Sequence, residues 1–203
     1  MKLFHTHTSP FARKVMVVLH ETGQVDDVAI ESVLTTPFNP AEGLGAENPL
    51  AKLPVLVRQD GVNLFDSRVI CAYFDARAKA GLHSDGDRRW DTLTLEALGD
   101  GILDSAVLMT YEERMRPEEK QYAQWSDAQW LKIKGACSAL NAQWMDHLNG
   151  PLDMGQISVA CALSYVDFRH DARGWRTGND ALSNWLAAFE SRPAMVATQP
   201  VEG

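Results

Sequence analysis

The chain has 203 residues, 45% of them hydrophobic and 23% charged, which is enough apolar material for an ordinary core and too much for a disordered polymer. A formal net charge of -8 argues against a nucleic-acid binder, which would usually show a basic face. No apolar run approaches the length of a bilayer span, and the N-terminus lacks a signal peptide's apolar core, so the expectation is a cytoplasmic protein with no membrane partner. Residues 2–6 predict a strand, and Thr8-Ser9-Pro10 then opens an amphipathic helix through Phe11, Val15, Val18, Leu19 and Thr22, with Gly23 as its stop. Residues 28–33 alternate apolar and polar and predict a second strand. From 34 to 53 the prolines at 37, 40 and 49 and the glycines at 43 and 45 predict a long loop with at most one short helix. Pro54 to Val57 is an apolar strand, Asp60-Gly61 a turn signal, Val62 to Phe65 the returning strand, and Asp66-Ser67 the cap of a helix carrying Val69, Ile70, Tyr73 and Phe74.

Beyond Gly81 the texture changes. Residues 82–89 are polar and read as a linker, and helices are predicted over roughly 87–115, 118–148, 153–171 and 180–190. The best local signature opens the third of these: Asp153 and Gln156 form a capping box, with Leu152 and Ile157 as the hydrophobic staple around it. The order βαβ then ββα calls for a four-stranded sheet with helices packed on it. The domains are thus expected at 1–80, mixed, and 87–203, all-helical.

Chemistry-bearing motifs are few. The chain has no G-x-G-x-x-G, P-loop, H-E-x-x-H, C-x-x-C or G-x-S-x-G. Cys71, Cys137 and Cys161 are scattered, as free buried thiols would be, and suggest neither disulfides nor zinc. His5 and His7 share one strand face but have no third metal ligand nearby, and no metal is expected. Ser9 remains. As an N-cap before a helix-opening proline, its hydroxyl lies beside a ring of unsatisfied N–H groups, which suits either a plain cap or the holding of an anion such as a thiolate.

Three stations, Thr8-Ser9-Pro10-Phe11-Ala12-Arg13-Lys14, Asn48-Pro49-Leu50-Ala51-Lys52-Leu53-Pro54-Val55-Leu56 and Phe65-Asp66-Ser67-Arg68-Val69-Ile70, resemble the glutathione S-transferases. The helical half resembles them too, through the capping box and Glu96-Ala97-Leu98-Gly99-Asp100-Gly101-Ile102, so the resemblance covers the whole chain. It implies an α+β thioredoxin-like N-terminal domain that binds glutathione, followed by an all-α helical bundle that completes a pocket for an electrophilic small molecule. It also implies a homodimer. Within it, the Leu53–Pro54 bond is implied to be cis, offering the Leu53 N–H and C=O to the cysteinyl backbone of the tripeptide much as an added strand would. Ser67 at a helix start suits the γ-glutamyl carboxylate, and Asp66 an ammonium group or its own helix. Ser9 would donate to the sulfur and favour the thiolate, although Thr8 is an alternative hydroxyl. Thiol pKa values can fall from about 8.5 to 7 or below in such settings. Lys52 and Arg13 are candidate cations for carboxylates, Arg13 alternatively a bridge between domains, and Asp100 a candidate for the γ-glutamyl amine. Ala51 departs from the glycine many relatives have, and Gln156 from the commoner aspartate. The leading expectation is transfer of the glutathione thiolate to an electrophile. The alternatives are glutathione-dependent disulfide or peroxide reduction, and a non-catalytic regulatory protein on the same fold.

Overall fold

The computed structural model describes residues 1–201. Its contacts divide the chain into two compact units, Met1–His83 with Pro193–Gly203, and Ser84–Arg192.

In the first unit, β1 (Lys2–His5) leads to α1 (Pro10–Glu21), then β2 (Ala29–Ser32), the single turn α2 (Leu44–Glu47), β3 (Val55–Val57) and α3 (Ser67–Ala78). The sheet order is β2-β1-β3, with β1 parallel to β2 and antiparallel to β3. A parallel pair needs a crossover, which α1 supplies. Leu3, Val15, Leu19, Leu56, Ile70 and Phe74 are fully buried, one set of apolar positions from each layer.

Two expectations shift here. The returning strand over 62–65 is reduced to one bridge, Leu56 with Leu64, which exchange backbone hydrogen bonds at 2.9 and 3.0 Å. Asn63 turns aside to donate to the Glu47 carboxylate at 2.5 Å, and Val62 is exposed, so nothing continues the ladder. The alternating burial expected of residues 28–33 is also absent, since β2 exposes all four of its residues at the sheet edge. Lys2 of β1 pairs there with Glu31 at 3.0 Å, the kind of charged blunting that edge strands commonly carry.

The second unit contains α4 (Arg88–Met115), α5 (Ala123–Gln143), the short α6 (Met145–Leu148), α7 (Met154–His170) and α8 (Asp180–Glu190). α7 is buried from Met154 to Val166 without a polar face and forms the axis of this bundle. It crosses α4 at backbone distance. A Cβ on Gly99 would stand 2.7 Å from the Ser158 carbonyl carbon, and one on Gly155 would stand 2.7 Å from Leu95 Cβ. Glycine is required at both points by proximity.

The sequence predicts an all-helical domain over 87–203. By contacts, α9 (Pro193–Ala197) instead groups with the first unit, packed on α1, with Ala194 and Met195 buried.

Candidate functional site

Strand register gathers the three loop stations of the first unit. Phe4 faces Val55 across the antiparallel β1–β3 pair, so the chain leaving β1 toward Ser9 and the chain entering β3 through Leu53-Pro54 meet at one end of the sheet. Leu56 faces Leu64, also antiparallel, so Asp66-Ser67 emerges at that same end. Alternating direction across the three segments does this, and it joins positions far apart in sequence.

Ser9 caps α1. Its backbone is extended (φ -81, ψ 116), Pro10 occupies the first helical position, and the Ser9 Oγ accepts from the Ala12 N–H at 3.3 Å. A hydroxyl that accepts one bond keeps its own proton to donate. Thr8 stands in the preceding turn, one residue short of this ring of N–H groups.

The second station is organised by a residue whose role was not read from the sequence. Asn48, 2% exposed, donates from Nδ2 to the Lys52 carbonyl at 2.9 Å and accepts from the Leu50 N–H at 3.0 Å, while its own carbonyl accepts from Ala51 N–H at 2.8 Å. The Asn-Pro dipeptide was the available signal, because asparagine commonly initiates such side-chain turns. Ala51 adopts φ 49 in this turn, the left-handed region that glycine takes freely. Lys52 is exposed, Pro54 is buried and the Leu53–Pro54 bond is cis. Among the described residues the N–H and C=O of Leu53 have no hydrogen-bond partner, so an edge is open for a peptide backbone.

At the third station Asp66 caps α3, its carboxylate accepting from the Arg68 N–H at 3.0 Å, and Ser67 is 1% exposed. The Phe65–Asp66 bond is cis as well. The N–H groups of the first turn of α3 suit a carboxylate.

Other candidates lie elsewhere. Asp100 belongs to α4 in the second unit, where it is buried and engaged within the protein. Arg13 does not face the sheet end as a free cation. It is buried and donates to the Met195 carbonyl at 3.3 Å and to Thr198 Oγ1 at 3.5 Å, both in the C-terminal segment of its own unit. The ring of His5 meets that of His7 edge-on at 4.9 Å; burial, and then the neighbouring His7, hold the His5 pKa below its ordinary value. Among the described residues no group of three or more His, Cys, Asp or Glu stands together as a metal cluster. Burial, with the nearby Asp167 adding to it, pushes the Cys137 thiol up to about 12, far from a reactive thiolate.

The site therefore offers a hydroxyl at one helix N-terminus, an open backbone edge, and a second helix N-terminus with a buried serine. That set suits a short extended peptide bearing a thiol and a carboxylate.

The family model for the glutathione S-transferase N-terminal domain matches residues 3–81, and that for the C-terminal domain matches residues 123–188. A glutathione transferase family member from Pseudomonas fluorescens, crystallised with bound glutathione, is 43% identical with a TM-score of 0.93, covering 99% of both chains. A glutathione S-transferase from Methylobacillus flagellatus, also with glutathione bound, is 32% identical with a TM-score of 0.85, covering 98% of this chain and 99% of that one. The uncharacterized GST-like protein YibF of Escherichia coli K12 is 33% identical over 98% of each chain. With relatives of this identity along almost its whole length, the chain belongs to the glutathione S-transferase family.

Proposed function

We propose that this protein is a glutathione transferase, binding glutathione at the sheet end of its first unit and transferring the thiolate to an electrophilic small molecule. The observation that carries the reading is the convergence of Ser9, the open Leu53 edge and Asp66-Ser67 at one end of the sheet through the antiparallel registers of β1, β3 and residue 64. The bound glutathione of two family structures adds support.

Glutathione supplies the nucleophilic sulfur, which forms the new bond to carbon while a leaving group departs with its electron pair. The chain's own residues hold and orient it. Leu53 pairs with the cysteinyl backbone through its N–H and C=O. Ser67 and the first N–H groups of α3 take the γ-glutamyl carboxylate, Asp66 lies beside its ammonium group, and Lys52 takes the other carboxylate. Ser9 keeps its proton on Oγ and donates it as a hydrogen bond to the sulfur, which favours the thiolate over the thiol. No residue of the protein becomes covalently modified in this scheme. It works as a cytoplasmic homodimer, a state that light scattering on the purified protein checks.

The testing experiment is a pH titration of the thiolate absorbance of bound glutathione. Ser9→Ala raises the bound thiol's pKa by about 1 to 2 units while leaving affinity nearly intact. Ser67→Ala instead weakens binding by about tenfold, the worth of one charge-assisted hydrogen bond. Absence of a thiolate signal in the wild-type protein at saturating glutathione overturns the reading.

A further inference from the structure

Arg13 stands one turn inside α1, and its backbone N–H closes that turn on the Ser9 carbonyl at 3.0 Å. Its side chain is 6% exposed. Yet the guanidinium meets only neutral acceptors, the Met195 carbonyl at 3.3 Å and Thr198 Oγ1 at 3.5 Å, and its third nitrogen is buried with no partner at all. Among the described residues no carboxylate pairs with it.

A tie to the C-terminal segment accounts poorly for this arrangement. Both bonds lie at the long limit of hydrogen bonding, and a neutral side chain would make them without burying a charge. A buried guanidinium is costly unless an anion lies near, and buried charges are as a rule paired. Arg13 closes the first turn of α1 on Ser9, and at that helix start Ser9 and the first N–H groups already favour negative charge.

We propose that Arg13 is a positioning residue for the thiol step: its charge, paired with no carboxylate among the described residues and held by the C-terminal segment behind the turn it closes on Ser9, keeps a thiolate at Ser9 favoured over the thiol. The inference rests on the glutathione reading above. Arg13 acts through space and through the turn it closes, and it touches neither the sulfur nor a carboxylate of the tripeptide. Glutathione affinity near neutral pH therefore changes little when it is replaced, while the protonation of the bound thiol changes.

The size of the effect follows from Coulomb's law. At roughly 10 Å and an effective dielectric near 20, one charge moves a thiol titration by about one pH unit. The test compares Arg13→Gln, which keeps donors and loses the charge, with Arg13→Lys, which keeps the charge and loses the fork. Thiolate absorbance of bound glutathione is titrated in each, with affinity measured by calorimetry and folding by thermal melting. Arg13→Gln moves the titration up by about one unit, and Arg13→Lys restores most of that shift even where its melting temperature falls as far. Titrations unchanged in both, or shifted equally in both, overturn the proposal and leave Arg13 a structural tie. Should Arg13→Gln fail to fold, Arg13→Met, close in length and uncharged, gives the same reading. A wild-type protein with no thiolate signal refutes the glutathione reading itself, a result distinct from any of these.

Discussion

α3 and α7 each begin with an aspartate whose side chain caps the first turn, and they use it in opposite ways. Asp153, before α7, is 1% exposed and saturated. Its Oδ1 accepts from the Gln156 N–H at 3.1 Å, and its Oδ2 from Arg88 at 3.0 Å, Thr92 at 3.0 Å and His147 Nε2 at 2.6 Å. Gln156 returns the favour to the Asp153 N–H and donates onward to the carbonyls of Leu148 and Gly150. Asp66, before α3, is exposed and accepts a single backbone bond. A helix start whose donors are consumed internally fixes a fold, and one whose donors are left over can bind something. The first belongs to the bundle unit and the second to the sheet end where the loop stations converge.

The sharpest way to break the comparison is to delete both carboxylates. Asp153→Ala strands the His147 ring and the Gln156 N–H, leaves Thr92 only the Arg88 carbonyl and Ser84, and removes the anion facing Arg88. The expected loss is about 3 kcal/mol or more of unfolding free energy. Asp66→Ala loses one exposed cap and costs about 1 kcal/mol or less. Urea unfolding of both variants measures the pair, and equal losses would erase the distinction.

Much of this contrast was legible in the sequence, because capping is local. Asp153-x-x-Gln156 spells a capping box over four residues, and Ser9-Pro10 and Asp66-Ser67 announce helix starts in the same way. What the sequence could not show is contact at long range. Arg13 reaches a threonine 185 positions away, and Asn63 leaves its strand for Glu47. Gly99 is one more helical residue in the sequence, yet it sits where the backbone of α7 comes within a methyl's reach of α4. The edge position of β2, which exposes both its faces, is likewise a property of the sheet and not of residues 29–32.

Gly99 tests how tightly the bundle unit is built around its cap. An added methyl would meet Ser158 backbone atoms at 2.7 and 2.8 Å, and backbone cannot rotate away as a flexible side chain would. Gly99→Ala is expected to cost about 1 to 3 kcal/mol through overpacking, even though alanine is the better helix former. A melting temperature equal to or above that of the parent protein would show that the two helices separate easily.

The first unit holds its own saturated carboxylate, so the contrast is between inward and outward aspartates rather than between units. Asp75 accepts from the backbone N–H groups of Leu82 and His83, each at 2.8 Å, and from the His83 ring at 2.9 Å. Burial pushes its carboxyl up, but the N–H bonds of His83 and Leu82 and the His83 side chain together outweigh that, and its pKa falls below the ordinary 3.8. A depressed folded value means stability that is present above the unfolded pKa and is lost as pH falls through 3.8 toward the folded value. Asp75→Asn should therefore flatten the acid limb of a stability-against-pH curve while lowering stability at pH 7. An acid limb of unchanged slope would assign it to other carboxylates.

Ala51 gives the smallest effect and bears on the open end of the comparison. Its φ of 49 places a Cβ in the left-handed region, which costs a non-glycine residue about 1 kcal/mol, and Asn48 holds it there through a backbone bond at 2.8 Å. Glycine would remove that penalty. It would also widen the unfolded ensemble, at a cost of about 0.4 to 1 kcal/mol. The two terms nearly cancel, so Ala51→Gly should change stability by less than about 0.5 kcal/mol. The turn itself should persist, because Asn48 and not residue 51 supplies its hydrogen bonds to Leu50 and Lys52. Glutathione affinity of the Ala51→Gly protein should then stay within about twofold of the parent, read by calorimetry. A larger loss would mean that the alanine itself stiffens the Leu53 edge, and that this loop binds by pre-organisation beyond what Asn48 provides.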